Sequence, residues 1–316
     1  MHAFFSRRRL LAGAGLCLAA VLAGCATGPG VTAPAPGVTR VDLGGGVTAT
    51  TLSDGFFSRN LDASFVRNVP LADVQKALQD AGLPTDKVDV PFVPLLVDIK
   101  GQRVLFDVGN GEFGAATAGK LLENMAKAGI SPASITAVVF SHFHGDHING
   151  LRNKAGQVVF PNAKVYVPTP EWDWWMDDAR MNATPEAARG NFNAVRRVFG
   201  PIAGQVVRFQ PGTEVLPGVK AIAAHGHTAG HTVFMIEGGS RKLLYWADTT
   251  NVAALFVRNP DWAVAFDANP DAARQVRRQL ANQVIREQLL LAGYHLNGSA
   301  IGTLSVRGQG YEFKPL

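Results

Sequence analysis

Apolar residues fall along the chain in short runs separated by turn-forming residues. Val47–Leu52, Val93–Ile99, Val104–Phe106, Ile135–Phe140, Lys164–Val167, Val219–Ala223, Val233–Ile236, Leu243–Trp246 and Leu289–Ala292 have the length and composition of strands. Lys100-Gly101-Gln102 and Gly238-Gly239-Ser240 supply hairpin punctuation between some of them. Helical periodicity marks Leu71–Ala81, Ala116–Ala128, Pro185–Val198 and Pro270–Arg286. Ser131-Pro132 and Asn269-Pro270 read as helix starts, with proline in the first turn. Strands and helices interleave, hairpins join several strands, and no internal repeat is visible. The pattern therefore predicts an α/β fold built as an αββα sandwich, two mixed β-sheets face to face and flanked by helices, rather than a doubly wound sheet.

Composition narrows the picture. With 316 residues, 47% hydrophobic and 17% charged, the chain can bury a large core, which excludes an intrinsically disordered protein. The formal net charge is +5, but Arg7, Arg8 and Arg9 supply three of those charges. Beyond residue 24 there are 27 basic and 25 acidic residues, a balance of +2 that argues against a nucleic-acid partner. The only cysteines are Cys17 and Cys25, so the body has neither a disulfide framework nor a thiolate metal site.

The N-terminus reads as an address. Ser6-Arg7-Arg8-Arg9-Leu10-Leu11 is a twin-arginine pattern, and the apolar run that follows to Gly24 falls short of the roughly 20 residues that span a bilayer. It ends in Leu22-Ala23-Gly24-Cys25, which resembles the lipobox of bacterial lipoproteins. The expected organisation is a signal peptide over 1–24, a lipidated Cys25 with an Ala-, Thr-, Gly- and Pro-rich tether over 25–40, and a catalytic domain over 41–316. The mature protein is expected in the cell envelope, exported through the twin-arginine route, lipid-anchored and facing the periplasm. Ala26 after the cysteine favours the outer membrane.

The candidate chemistry lies in the histidines. The body holds seven: His142, His144, His147, His225, His227, His231 and His295. Three stand in Ser141-His142-Phe143-His144-Gly145-Asp146-His147, directly after an apolar strand, so four metal-capable donors occupy six residues at a sheet edge.

His-x-His-x-Asp-His is the signature of the metallo-β-lactamase superfamily, and the chain resembles that family over roughly residues 45–305. The likeness includes Asp107-Val108-Gly109 ahead of the motif, then His227-Thr228-Ala229-Gly230-His231, Trp246-Ala247-Asp248 and Gly293-Tyr294-His295. It is greatest toward the lactonase and organophosphate/aryl-ester hydrolase branch. The resemblance implies one metal on His142, His144 and His231, a second on Asp146, His147 and His295, and Asp248 as the bridge. Two divalent ions are implied, Zn²⁺ first, with Mn²⁺ or Fe²⁺ as alternatives. Asp248 stands where many β-lactamases of this fold use Cys, and His144 where flavo-diiron relatives use Glu; both branches are disfavoured.

The implied activity is hydrolysis of a lactone, carboxylic ester or phosphotriester by a metal-bridging hydroxide, with Asp146 and Asp248 as catalytic carboxylates. The alternatives are a mononuclear-iron thiol oxygenase or thioester hydrolase of the same superfamily, and a non-catalytic lipid-anchored metal-binding protein. His227 is expected to orient a ligand or meet substrate, His225 to matter less, and Asp107 to be structural. Trp172, Trp174 and Trp175 are candidates for an apolar wall of the pocket, with packing of an inserted helix as the competing reading; Phe56, Phe57 and Phe113 are further candidates. Ala229 and the segment Asn297–Gly302 depart from the family pattern, which leaves the substrate open.

Overall fold

The structure is a computed structural model, described here over residues 37–316. The twin-arginine segment, Cys25 and the tether up to Pro36 lie outside the described residues. Among those described, no helix is long and apolar enough to cross a membrane.

The chain enters through a hairpin of β1 (Val38–Gly44) and β2 (Val47–Leu52), so regular structure begins inside the stretch assigned to the tether. Val38, Val41 and Leu43 are buried, which draws these residues onto the sheet. A second hairpin, β3 (Gly55–Asn60) with β4 (Lys87–Phe92), forms a small sheet of its own, with helix α1 (Leu71–Asp80) in its connection. Then follow β5 (Leu95–Ile99), β6 (Gln102–Phe106), α2 (Leu121–Lys127), β7 (Ala137–Val139), the short helix α3 (Gly145–Ile148) and β8 (Lys164–Pro168). Helices α4 (Thr169–Trp175), α5 (Asp178–Ala183) and α6 (Gly190–Phe199) lead to β9 (Val207–Phe209). The second half comprises β10 (Glu214–Leu216), β11 (Val219–Ala223), β12 (Thr232–Glu237), β13 (Lys242–Tyr245), α7 (Ala253–Phe256), α8 (Pro270–Arg286), β14 (Leu290–Ala292), β15 (Ile301–Arg307) and β16 (Gly310–Pro315).

Seven strands in the order β1-β2-β5-β6-β7-β8-β9 make one sheet, and β10 to β16 in sequence order make the other. Both are mixed: β6 to β9 run parallel beside antiparallel neighbours, and β13 pairs parallel with β14 in an otherwise antiparallel sheet. Alternate residues of the central strands feed different cores. Val97, Phe106 and Val139 meet Val219, Phe234 and Tyr245 between the sheets. Leu105 and Val138 turn outward against Leu121, Met125, Val195 and Phe199. Leu244 and Leu291 turn the other way, against Leu280 and Val284 of α8. Burial on both faces is why these strands read as continuous apolar runs. The expected αββα sandwich is the observed architecture.

Two helix starts differ from the periodicity. Helix α2 starts at Leu121 rather than Ala116, because Thr117 and Ala118 are drawn to the β3 strand: Phe56 N donates to Thr117 O at 3.2 Å, and Gly55 bridges Ala118. Helix α6 starts at Gly190 rather than Pro185, after one 3₁₀ turn over Glu186–Ala188.

Candidate metal centre

Strand polarity gathers the chemistry at one edge of the sandwich. β6 ends just before Asp107, β7 runs out into Ser141–His147, β13 ends before Asp248, and β14 ends before His295. β12 runs antiparallel to β13, so its beginning, with His227 just upstream, faces the same edge. The turns there are forced: Asp107 has φ +58° and Ala247 φ +44°, a region disfavoured for side-chain-bearing residues. Two glycines allow close approach around His227. A Cβ on Gly226, whose φ is +135°, would lie 2.4 Å from the backbone nitrogen of Ala273, and one on Gly230 would lie 2.4 Å from that of Glu171.

The donors fall into two groups. His142, His144, His227 and Asp248 offer ligand atoms within 4.8 Å of one another, and so do Asp146, His147 and His295. Asp248 joins the groups: Oδ2 lies 3.2 Å from His227 Nε2 and 2.9 Å from His295 Nε2, while Oδ1 lies 3.1 Å from His147 Nε2. Asp146 Oδ2 is 3.5 Å from both His147 Nε2 and His295 Nε2.

His227 and His231 exchange the places expected of them. His231 has both ring nitrogens committed to backbone, Nδ1 donating to Ala224 O at 2.9 Å and Nε2 accepting from Asp248 N at 3.1 Å. It therefore has no free lone pair for an ion, and it acts as a strut that holds the Asp248 turn. His227 instead reaches the cluster, with Nε2 2.9 Å from His144 Nδ1 and Nδ1 3.0 Å from Asp267 Oδ1. The Gly226 turn brings the first histidine of His227-x-x-x-His231 inward and leaves the second at the root of β12.

The outer nitrogens of His142 and His295 are held, while several inner atoms of the cluster have no partner. His142 Nδ1 lies 3.0 Å from Ser141 Oγ and His295 Nδ1 donates to Pro91 O at 2.7 Å; His147 Nδ1 lies 3.0 Å from Asp107 Oδ2 as an ion-pair contact without hydrogen-bond geometry. Meanwhile His142 Nε2, His147 Nε2 and Asp248 Oδ1 are buried without a hydrogen-bond partner. Buried polar atoms are almost always paired. Unpaired lone pairs converging from imidazoles oriented on their far side, with carboxylates between them, fit divalent metal ions.

The electrostatics agree. Burial, then neighbouring His147, holds His142 well below the usual imidazole range; burial, then His227, does the same to His144; and burial with His227 lowers His231 to about 3. Burial also opposes charge on His227, yet Asp248 and Asp267 raise it to about 9. His147 is likewise raised, by Asp248, Asp146 and Asp107 against its burial. The carboxyl of Asp248 lies well below its usual value because His147, His295, His142 and His227 outweigh its burial.

Several supporting groups carry no sequence signature. Asp107 is indeed structural: it accepts from Ser141 N (2.9 Å), Ser141 Oγ (2.8 Å) and Tyr245 OH (2.7 Å). Glu171 is fully buried and accepts from Phe143 N (3.0 Å), Gly230 N (2.7 Å) and Trp175 Nε1 (2.8 Å), tying α4 to both ligand loops. Tyr294 lays its ring 3.9 Å from that of His147 and donates to Asp146 O at 2.6 Å. Arg277, an arginine on the buried stripe of α8, and Asp267 were detectable only as polar residues in apolar company.

A cavity of about 410 Å³ opens over the cluster, lined by Phe57, Val90, Phe92, Asn191 and Phe266 above His144, Asp146, His227, Asp248 and His295. The tryptophans do not line it. Trp172 packs into the core, 6.1 Å from Phe199. Trp174 and Trp175 border a neighbouring cavity of about 450 Å³ together with His144 and His225, with Arg180 stacked 3.7 Å above Trp174. Of the phenylalanines, Phe57 lines the first cavity, Phe56 is exposed beside it, and Phe113 lies under Arg197 at 3.7 Å.

Residues 94–290 match the family model of the metallo-beta-lactamase superfamily. Among solved structures the chain is similar to AidC, a dizinc quorum-quenching lactonase in complex with a product, at 28% identity and a TM-score of 0.83 over 89% of this chain and 97% of that one. It shares its fold with AbOPH, a hydrolase in the beta lactamase superfamily, at 23% identity and a TM-score of 0.81 over 89% and 97% of the two chains. Ribonuclease Z of Pyrococcus abyssi is 40% identical over 68 residues, 22% of this chain and 19% of that protein. The chain thus spans about a fifth of the length of the curated relatives it matches.

Proposed function

The chain belongs to the metallo-beta-lactamase superfamily, and from that premise we propose that it is a metal-dependent hydrolase that holds two divalent ions and opens a neutral lactone or carboxylic ester. The carrying observation is that two donor groups joined by Asp248 form the floor of a cavity with apolar walls. His142, His144 and His227 would hold one ion, Asp146, His147 and His295 the other, with Asp248 between them. Imidazole and carboxylate donors without a thiolate suit Zn²⁺, with Mn²⁺ or Fe²⁺ as alternatives. When bound, the ions would supply Lewis acidity and lower the pKa of a water toward neutrality.

The protein's own groups do the rest. Phe57, Val90, Phe92 and Phe266 would hold the apolar part of the substrate and exclude bulk water. Asp146 is the cluster carboxylate that retains some exposure, at 24% of its side chain, and it lines the cavity. It is placed to pass a proton to the departing alcohol. Asp248 is buried among four imidazoles and stays ionised. Among the described residues no lysine or arginine lines the cavity, so apart from the ions themselves no side chain there would pair with the carboxylate of a β-lactam or with an RNA phosphodiester. The likeness to a lactonase at 28% identity favours lactones and esters over phosphotriesters. Export and anchoring through Cys25 complete the proposal; a Cys25→Ser chain should be released from membranes.

The test is metal content with a substrate panel. Purified protein should carry about two transition-metal ions, lose turnover on chelation and regain it with Zn²⁺, Mn²⁺ or Co²⁺. Acyl-homoserine lactones or aryl esters should be turned over ahead of a phosphotriester or a cephalosporin. Fewer than about one tightly bound ion, with no metal rescue on any substrate, would refute the reading; oxygen uptake with a glutathione persulfide would replace it with the iron oxygenase.

A further inference from the structure

Arg277 is 1% exposed, on the inner face of α8, behind the metal centre. Its guanidinium makes four hydrogen bonds within the protein. Nε donates to Thr249 O at 2.9 Å, Nη1 to Pro260 O and Trp262 O at 2.9 Å each, and Nη2 to Asp267 Oδ2 at 3.3 Å. The other oxygen of Asp267 takes His227 Nδ1 at 3.0 Å. One buried cation therefore reaches two ligand-bearing turns by separate arms. The first runs through Asp267 to His227. The second runs through the carbonyl of Thr249, the residue after Asp248, on a turn where Ala247 is already held at φ +44°.

A buried ion pair is weak evidence for stability, because an apolar replacement of similar volume is often as good. The position of this one gives it another use. With Asp267 accepting at Nδ1, the proton of His227 is fixed on that nitrogen, and the lone pair of Nε2 faces Asp248 Oδ2 and His144 Nδ1. Arg277 holds the carboxylate in that orientation with a planar fork that lysine lacks.

We propose that Asp267 and Arg277 are positioning residues that preset His227 and the Asp248 turn for metal binding. This rests on the metal assignment above. The test is chelator-competition measurement of Zn²⁺ affinity and stoichiometry on the full chain, for wild type, Asp267→Asn, Arg277→Met, Arg277→Lys and Leu280→Ala. Leu280 is buried on the same helix among apolar residues and its side chain can make no hydrogen bond to either arm, so Leu280→Ala should lower Tm and leave both affinities unchanged. Asp267→Asn and Arg277→Met should weaken one ion by about 10- to 100-fold, and Arg277→Lys should fail to restore it. Wild-type affinity for both ions in Asp267→Asn overturns the proposal. So does failure of that near-isosteric variant to fold, which would make the pair a structural requirement instead. A wild-type chain that binds no Zn²⁺ refutes the metal assignment itself, which separates the two failures.

Discussion

Two histidines four residues apart do different work because their second nitrogens meet different partners. His227 has a carboxylate behind it and an unsaturated cluster in front; His231 spends both nitrogens on backbone. His227→Ala should therefore lose one ion and at least about 100-fold in kcat/KM, about 3 kcal/mol of transition-state stabilisation. His231→Ala should keep both ions by elemental analysis, yet lose stability, since Ala224 O and Asp248 N are left buried and unpaired at about 1–3 kcal/mol each. Equal metal loss in the two variants would reverse the assignment. This choice was not legible in the sequence, because it depends on which way the Gly226 turn faces. His142, His144, Asp146 and His147 were legible because their spacing on one loop forces proximity. Asp107 belongs to the same scale: Asp107→Asn tolerates the positive φ but cannot accept from Ser141 N, Ser141 Oγ and Tyr245 OH while facing His147 as an anion.

At the scale of elements, the ligand loops are held by what packs behind them. Helix α4 does this through Glu171, whose carboxylate has three donors from three segments, and whose pKa is raised by burial. Glu171→Ala should orphan all three. We expect a loss of about 3 kcal/mol or more, read as a lower midpoint in urea, together with reduced metal content, because Phe143 lies between His142 and His144 and Gly230 closes the turn that begins at His227. A variant with full metal content and an unchanged midpoint would remove α4 from the architecture of the site. The Trp-rich segment could be recognised as apolar but not placed, since two acids, Glu171 and Asp173, among three tryptophans give no sign of which one turns inward. Strands with apolar residues on both faces were legible as runs. The last two strands of the second sheet were not: β16, at its edge, carries Glu312 and Lys314 among its apolar residues, and Val306 of the neighbouring β15 is exposed. Helix α8 was read to its ends because Asn269 caps Ala272 N and Pro270 fills the first turn.

For the whole molecule, the centre is a concentration of buried charge whose balance depends on pH. His142, His144 and His231 are depressed from the usual 6.5, the last to about 3. The unfolded chain takes up protons on these groups near pH 6.5 and the folded chain does not. Their contribution to stability is therefore complete above pH 6.5 and is lost as pH falls toward their folded values, by up to about 1.4 kcal/mol per pH unit for each. His227 has the opposite sign. Raised to about 9, it contributes fully below pH 6.5 and loses that contribution as pH rises through 9; His147, also raised, adds to the same limb. The metal-free protein should thus be most stable near neutrality and weaken on both sides, more steeply in acid, where three groups act together. Metal ions require the cluster imidazoles, His231 apart, unprotonated, so Zn²⁺ should raise Tm strongly near pH 7.5 and little near pH 5. Thermal unfolding of chelated and Zn²⁺-loaded protein across this range measures both effects. A chelated protein whose Tm stays flat from neutrality down to about pH 5 would mean that these histidines charge as freely in the fold as in the unfolded chain, and that the buried cluster does not exist in solution.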